Sequence, residues 1–337
     1  MIPIYAISAG GITADSTSLT QSGLPVRLRV DLRLNQVNTA EVVLGPLPDG
    51  AVAPGDPVEI ELGYDGEGSE KVFTGVVEEL QRLTYGYRIW CSSQMMALSQ
   101  IYINKLYEQQ KAGDIVSDLA SIAEISTGEV QPGLDYPFYA VGSDRHLLAH
   151  LLGLAARDGF DVYADAEDKL VYAAYTGGGG GIGGASGLLG ASGALRYGAE
   201  LLAYHAEERP PRIDGVEVYG ESPASLGEGD KAYSWLTKEE VKGNAGGSSG
   251  NIHRIAIPSI RNQDAAGSAA ESIFHRLNPV RTGWVEALGK APLALGGPVE
   301  IADLPDGGPN GSFKIEAIKH QLDKRHGFIT KVHWKEV

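Results

Sequence analysis

Gly246-Gly247-Ser248-Ser249-Gly250 fits the pattern G-x-S-x-G, in which a strained turn between a strand and a helix presents a nucleophilic serine. Here the serine lies in a Gly/Ser stretch with no such frame, so acyl transfer is not expected from it. His146 and His150 stand four apart, a spacing that puts two imidazoles on one helix face where they could share a metal. No glutamate follows His146 in the H-E-x-x-H manner and no third ligand is evident, so a helix edge is expected rather than a metal centre. The five glycines 177–181 lack the Lys-Ser/Thr that would reach phosphates and Mg²⁺. Asp303, Asp306, Glu207-Glu208 and Glu239-Glu240 supply carboxylates without a spacing that pairs them for acid–base work, which leaves turn and surface roles. Asn310-Gly311-Ser312 is a formal glycosylation sequon with no secretory context to give it meaning. No catalytic, cofactor-binding or metal-binding residue is assigned, and no enzyme activity is expected.

The bulk composition narrows the classes further. A chain of 337 residues that is 43% hydrophobic can bury a substantial core and is long enough for two or three domains. The net charge of −15 argues against binding nucleic acid through its phosphates. It suits solubility, and also a pore through which a polyanion slides without sticking. One cysteine, Cys91, allows no intrachain disulfide and fits a reducing compartment. Met1-Ile2-Pro3-Ile4-Tyr5 has neither a basic nor an apolar leader character, and no apolar run approaches the length of a membrane span. Cytoplasmic assembly is therefore expected, followed by incorporation in a larger particle if the protein leaves the cell.

The elements that would carry any site are mostly strands. Residues 24–34 place Leu28, Val30, Leu32 and Leu34 on one face and Arg27, Arg29, Asp31 and Arg33 on the other, the alternation of a half-buried antiparallel strand. Ala40–Leu44, Val58–Tyr64, Val72–Leu80 and Tyr87–Cys91 follow with turn-rich joints, which reads as a small barrel or sandwich. The pattern then turns helical. Ile115, Val116, Leu119 and Ile122 recur at helical spacing, and Leu147, Leu148, Leu151, Leu152 and Ala155 form an apolar stripe. Ser143 is placed at the N-cap of that second helix and Gly159 just past its end. Phe160–Ala164 and Leu170–Tyr175 read as a hairpin. Residues 176–194 are Gly-rich and read as a flexible linker, and Lys242–Asn251 as a second soft loop. Arg212–Gly220 and Ile252–Ile257 read as strands and Asp264–Leu277 as a helix stopped by Asn278-Pro279. Gly283–Leu288, Val299–Ile301, Phe313–Leu322 and Phe328–Trp334 complete the strands.

One internal repeat stands out. Pro-Val-Glu-Ile occurs at Pro57–Ile60 and again at Pro298–Ile301, 241 residues on. Phe73 and Phe313, 240 apart, and Gly86 and Gly327, 241 apart, follow in the same order, so one β unit is used twice. The expected organisation is a first barrel over 1–100, an α/β insertion over 101–175, a linker over 176–196 and a second barrel with an inserted helix and loops over 197–337. The fold class is mainly β with an α+β insertion.

Several stretches in order resemble a known family: Val72–Glu78, Tyr87–Ser93 with Leu98 and Tyr102, Ala112–Ala120, Ser143–Leu148, Arg157–Tyr163, Lys169–Tyr172 and Phe313–Lys331. Together they resemble the late control protein D family of contractile tails, the baseplate hub proteins of myophages, which are related to the hub portion of type VI secretion spikes and of extracellular contractile injection systems. The resemblance spans about 55–335 as a series of short motifs. It implies two tail-tube-like antiparallel β-barrels per chain and a homotrimer whose six barrels match a hexameric tube on one side and a trimeric spike on the other. It also implies a structural role in initiating the tube. The implied partners are the chain itself, the spike protein, the tail tube protein and other baseplate proteins, with no specific nucleic-acid binding and no membrane insertion. Which residues touch spike, tube or lumen is left unassigned, and the lumen is expected to be polar or acidic. Unlike the fused spike proteins, this sequence ends at Val337 with no oligosaccharide-binding domain or β-helix needle, so the spike tip is expected on a separate polypeptide. The alternatives are a tail-tube-terminal protein of the same particle, a tail-associated cell-wall hydrolase, and a carbohydrate-binding module at a cell surface.

Overall fold

A computed structural model describes residues 2–16, 25–175, 194–221, 241–278, 281–290, 293–305 and 308–337. The chain opens with seven strands: β1 (Pro3–Ala9), β2 (Ile12–Asp15), β3 (Pro25–Arg33), β4 (Thr39–Leu44), β5 (Pro57–Tyr64), β6 (Gly68–Leu83) and β7 (Gly86–Ser92). An α/β region follows: α1 (Met95–Leu98), β8 (Lys105–Lys111), α2 (Ala112–Ile122), β9 (Thr127–Val130), β10 (Asp135–Val141), α3 (Leu147–Asp158), β11 (Asp161–Ala164) and β12 (Leu170–Ala173). The last third holds β13 (Leu195–Arg196), β14 (Leu201–Glu208), β15 (Gly215–Tyr219), β16 (Lys242–Gly246), β17 (Ile252–Ala256), α4 (Gln263–Leu277), β18 (Arg281–Leu288), β19 (Pro298–Ala302), β20 (Gly311–Asp323) and β21 (Gly327–Lys335). The mainly β class with a smaller helical part is as the alternation of β3 and its neighbours led one to expect.

The N-terminal and C-terminal strands belong to one 13-stranded sheet, ordered β14-β18-β21-β20-β3-β4-β7-β6-β5-β1-β2, with β19 beside β20 and β13 beside β19. The joint between the halves is β20 against β3, from Ala317 opposite Arg33 to Asp323 opposite Arg27. A single apolar cluster runs through both halves, from Ile7, Leu28 and Phe73 to Phe313, Val332 and Trp334.

The repeat seen in the sequence is present in the ladder. The order β3-β4-β7-β6-β5 recurs as β14-β18-β21-β20-β19. Pro57 faces Val76 and Pro298 faces Lys314. An irregularity beside Val77 and Glu79 leaves Glu78 looped out, and one beside Ile315 and Ala317 does the same to Glu316. Thr39 faces Ser92, and Thr282 faces Lys335. A further irregularity between Pro25 and Arg27 matches one between Leu201 and Ala203. The residues skipped there, Val26 and Leu202, are 47% and 50% exposed, rare positions for such side chains in this chain.

The ladder corrects one equivalence. By pairing, Gly75 rather than Phe73 corresponds to Phe313, since Gly75 faces Val58 and Phe313 faces Val299. Beyond the bulge the β20–β21 hairpin pairs Ala317–Asp323 with Gly327–His333, whereas β6–β7 pairs only Glu79–Leu83 with Gly86–Trp90. The longer arm displaces the sequence match by two residues. A two-residue slip keeps every side chain on its face, which is why the apolar pattern still agreed.

Two modules interrupt the strands, each with its own core. In the α/β module Met95, Leu119, Tyr136, Leu151 and Tyr172 are buried together. Asp161 fastens this module to both halves of the sheet: Asn35 donates to its Oδ1 at 2.9 Å, and the Lys314 ammonium pairs with its Oδ2. The other module lies between β14 and β18. There α4 covers the small sheet β16-β15-β17 through Ala266, Ala269 and Ile273. Lys242–Gly246, expected as a soft loop, is the strand β16. Glycine there is a packing requirement, because a Cβ on Gly243 would stand 1.8 Å from the Ala266 carbonyl oxygen. The N-cap of α3 also differs from expectation: it is His146, whose Nδ1 accepts the Ala149 N–H at 3.1 Å, while Ser143 precedes the helix and its N–H donates to Asn104. Gly159 does close α3, in the left-handed region at φ 73.

Candidate interaction surface

The register of the long sheet fixes which side chains share its solvated face. Strand by strand these include His205 and Glu207, Trp284 and Glu286, Lys331 and His333, Lys319 and Asp323, Arg27 to Arg33, Glu41, Arg88 and Trp90, and Glu79 and Gln81. The opposite face, carrying Leu28, Val42, Ile89, Ile318 and Val332, enters the apolar cluster. Period-two alternation in each strand is what separates the two sets.

The face carries both signs of charge, organised as cross-strand pairs. Glu41, its side chain only 7% exposed, lies beneath three guanidinium groups: Arg27 at 2.7 Å, Arg88 at 3.0 Å and Arg29 at 4.0 Å. Arg29 is directly opposite Glu41, while Arg27 and Arg88 flank it diagonally from β3 and β7. Asp31 pairs with Arg33 at 2.8 Å and, across the joint between the halves, with Lys319 at 3.4 Å. On the far side the Lys331 ammonium sits 3.4 Å from the Trp284 ring centroid, and His205 stacks on the same ring. A surface on which arginines outnumber the carboxylate they surround is unexpected in a chain of net charge −15.

Two stretches of this sheet are edges. Beyond the bulge, β6 is paired on one side with β7, and among the described residues no strand lies on its other side from Glu79 to Leu83. Among the described residues β14 pairs with β18 and, at Leu201, bridges Tyr197, which leaves its other side without a strand from Ala203 onward. In the second unit the position equivalent to the free side of β6 is filled by β3.

The residues singled out by chemistry in the sequence are dispersed. Ser248 lies between β16 and β17, with no helix after it, so the nucleophile-elbow frame is missing. His146 caps α3, whereas His150 is buried with Nδ1 3.4 Å from the Tyr139 hydroxyl and Nε2 3.1 Å from the Gly142 carbonyl oxygen. Each imidazole is thus engaged separately, and among the described residues no three metal-ligating side chains gather. Asp303 pairs with Arg196 at 2.8 Å, and Glu207 with Arg209 and His205. Glu208 ends β14 with an exposed side chain. The Asn310 side chain accepts the Leu304 N–H at 2.9 Å. Asp306, Glu239-Glu240, the glycine run 177–181 and the 176–193 part of the linker lie outside the described residues. Cys91 is buried in the sheet, and burial pushes its thiol up to about 12.

Two acids of the α/β module, the half-buried Asp158 and the buried Asp168, were not singled out by sequence. Burial raises Asp158 to about 6, against the opposing pull of the Tyr172 hydroxyl and the Leu134 N–H that it accepts. Burial raises Asp168 to about 7, against the Gln94 N–H it accepts at 2.9 Å. Both lie in the α/β module and act as local ties. Asp158 as the last residue of α3 and Asp168 in the loop between β11 and β12 give no sequence signal of their burial.

No family model and no curated protein matches the sequence. Solved structures do. The 43 kDa tail protein of prophage MuSo2 from Shewanella oneidensis superimposes with a TM-score of 0.70 at 13% identity, covering 98% of each chain. A tail protein from Neisseria meningitidis gives a TM-score of 0.70 at 14% identity over 100% of this chain and 97% of that one. An Escherichia coli component of the type VI secretion system gives 0.58 at 9% identity, over 94% of this chain and 74% of that one. Over nearly its whole length, this chain has the fold of those phage tail proteins.

Proposed function

We propose that the protein is a structural hub at the centre of a contractile tail or injection-particle baseplate, where it adapts a trimeric spike to a hexameric tube and starts tube assembly. The observation that carries this reading is the doubled five-strand unit. Two like units, joined by β20 against β3 in one sheet, let each chain stand for two tube subunits, so three chains imitate a sixfold ring. The fold it shares with tail proteins and with a type VI secretion component supports the same reading. Its partners would be two further copies of itself, the spike, the tube protein and neighbouring baseplate proteins. The work is symmetry matching, and no enzymatic step is part of it.

The test is reconstitution. Purified chain is mixed with the tube protein and spike of the particle that carries it, and tube growth is followed by electron microscopy. The expected result is tubes that start from particles holding three copies of this chain. Tubes that start equally well without it would overturn the proposal.

A further inference from the structure

We infer that the free side of β6, Glu79–Leu83, pairs antiparallel with the free side of the end of β14 and the residue after it, His205–Arg209, from a second copy of this chain, in a register fixed by the joint inside the monomer. The inference rests on the trimeric hub reading and adds to it the edges, the register and the charge pairs.

The argument is one of internal equivalence. Inside the chain, the first strand of unit one, β3, lies against the distal part of β20 in unit two. The matching bulges make β14 the counterpart of β3 and β6 the counterpart of β20. The counterpart of the internal joint is therefore β6 against β14. Both are exposed edges, and they lie at opposite ends of the shared face, so one chain cannot join them to each other as neighbours in its own open sheet. A long unpaired edge invites another strand, and a heterologous contact repeated around an axis closes a ring.

Carrying the internal register across gives specific pairs. Lys319 opposite Asp31 maps to Gln81 opposite Glu207, and Ala317 opposite Arg33 maps to Glu79 opposite Arg209. Leu80 then stands opposite Glu208 and Arg82 opposite Ala206, which sets Arg82 diagonal to Glu208. The borders thus present Glu79 and Arg82 on one side and Arg209 and Glu208 on the other, opposite signs at matching positions. Among the described residues the ion-pair partner of Arg209 is its near neighbour Glu207. At the hairpin tip Tyr85, 86% exposed, falls level with the Leu202–Tyr204 end of β14, where Leu202 is exposed.

The test is oxidative cross-linking of full-length Gln81→Cys/Glu207→Cys, with Cys91 left in place because it is buried. Lys319→Cys/Asp31→Cys, the internal counterpart, is the positive control and closes within one chain. Gln81→Cys/Glu208→Cys, one residue out of register, points to opposite faces and stays open. The expected result is a covalent trimer from the first variant alone. A trimer by native mass that does not cross-link, while the internal control closes, would overturn the edge assignment and leave the hub reading standing. A chain that is monomeric at every concentration would overturn both. Because cysteine variants can misfold, a charge swap gives an independent reading. Arg209→Glu alone is expected to weaken trimer association up to about fivefold per contact, and adding Glu79→Arg to restore it. No restoration would count against the register.

Discussion

At the scale of single residues, the solvated face is arranged around Glu41, whose near-buried carboxylate holds Arg27, Arg88 and Arg29 together. Glu41→Gln keeps the shape and removes the charge that balances three guanidinium groups. A loss of about 1–3 kcal/mol is expected in chemical denaturation, and an unchanged midpoint would show that the cluster is decorative. Asp168 is the sharper case because its effect depends on pH. Its folded-state value of about 7 lies above the ordinary aspartate value of 3.8, so the folded chain holds the proton more tightly than the unfolded one. The resulting stabilisation is complete below about pH 3.8 and is lost as pH rises through 7. Asp168→Asn keeps an acceptor for the Gln94 N–H and suits the residue's positive φ of 59. The variant is therefore expected to gain on the wild type by about 1–4 kcal/mol between pH 5 and pH 8. Melting curves at those two pH values decide, and an equal offset at both would refute the assignment.

At the scale of elements, packing explains where the sequence was legible and where it was not. β3 was readable because Leu28, Val30 and Leu32 alternate strictly with charged residues, the condition of a strand with one wet face. β16 was not, because Lys-Gly-Asn-Ala-Gly looks like a loop until α4 is laid across it. Gly243 then supplies the close approach that a side chain would prevent. Gly243→Val is expected to separate α4 from β16 and cost roughly 2–4 kcal/mol, read as a loss of helix signal at lower denaturant. A well-folded, equally stable variant would contradict the packing account. β1 went unread because Ile4-Tyr5-Ala6-Ile7 is apolar without alternation, and β2 because its four residues carry too few alternations to stand out. The cap of α3 was misplaced because serine outranks histidine as an N-cap by propensity, whereas the contact of Leu147 N–H with the Ile101 carbonyl sets where the helix begins.

At the scale of the whole molecule, the repeat was visible in the sequence but its meaning was not. Two copies of Pro-Val-Glu-Ile announce a doubled unit, yet the β20–β3 joint connects residues at opposite ends of the chain and depends on a register no local pattern encodes. The candidate surface was illegible for the same reason: Arg29, Glu41, Lys319 and Lys331 share a face only once four strands are ordered. The face that results carries both signs of charge, paired across neighbouring strands. In a ring of six units such pairs would repeat around the opening and largely cancel, leaving a polar wall of low net field. The edges make the strongest demand. If β6 and β14 join between copies, backbone amides of Glu79–Leu83 and His205–Arg209 should gain hydrogen-exchange protection on assembly, while the internal β20–β3 amides stay protected throughout.

The most direct measurement is single-particle imaging of the purified full-length chain viewed down its assembly axis. The account predicts a closed ring of three chains that shows six similar β units, with β20–β3 and β6–β14 joints alternating around it. A ring of six chains, or a trimer in which the two β units lie at different distances from the axis, would contradict it.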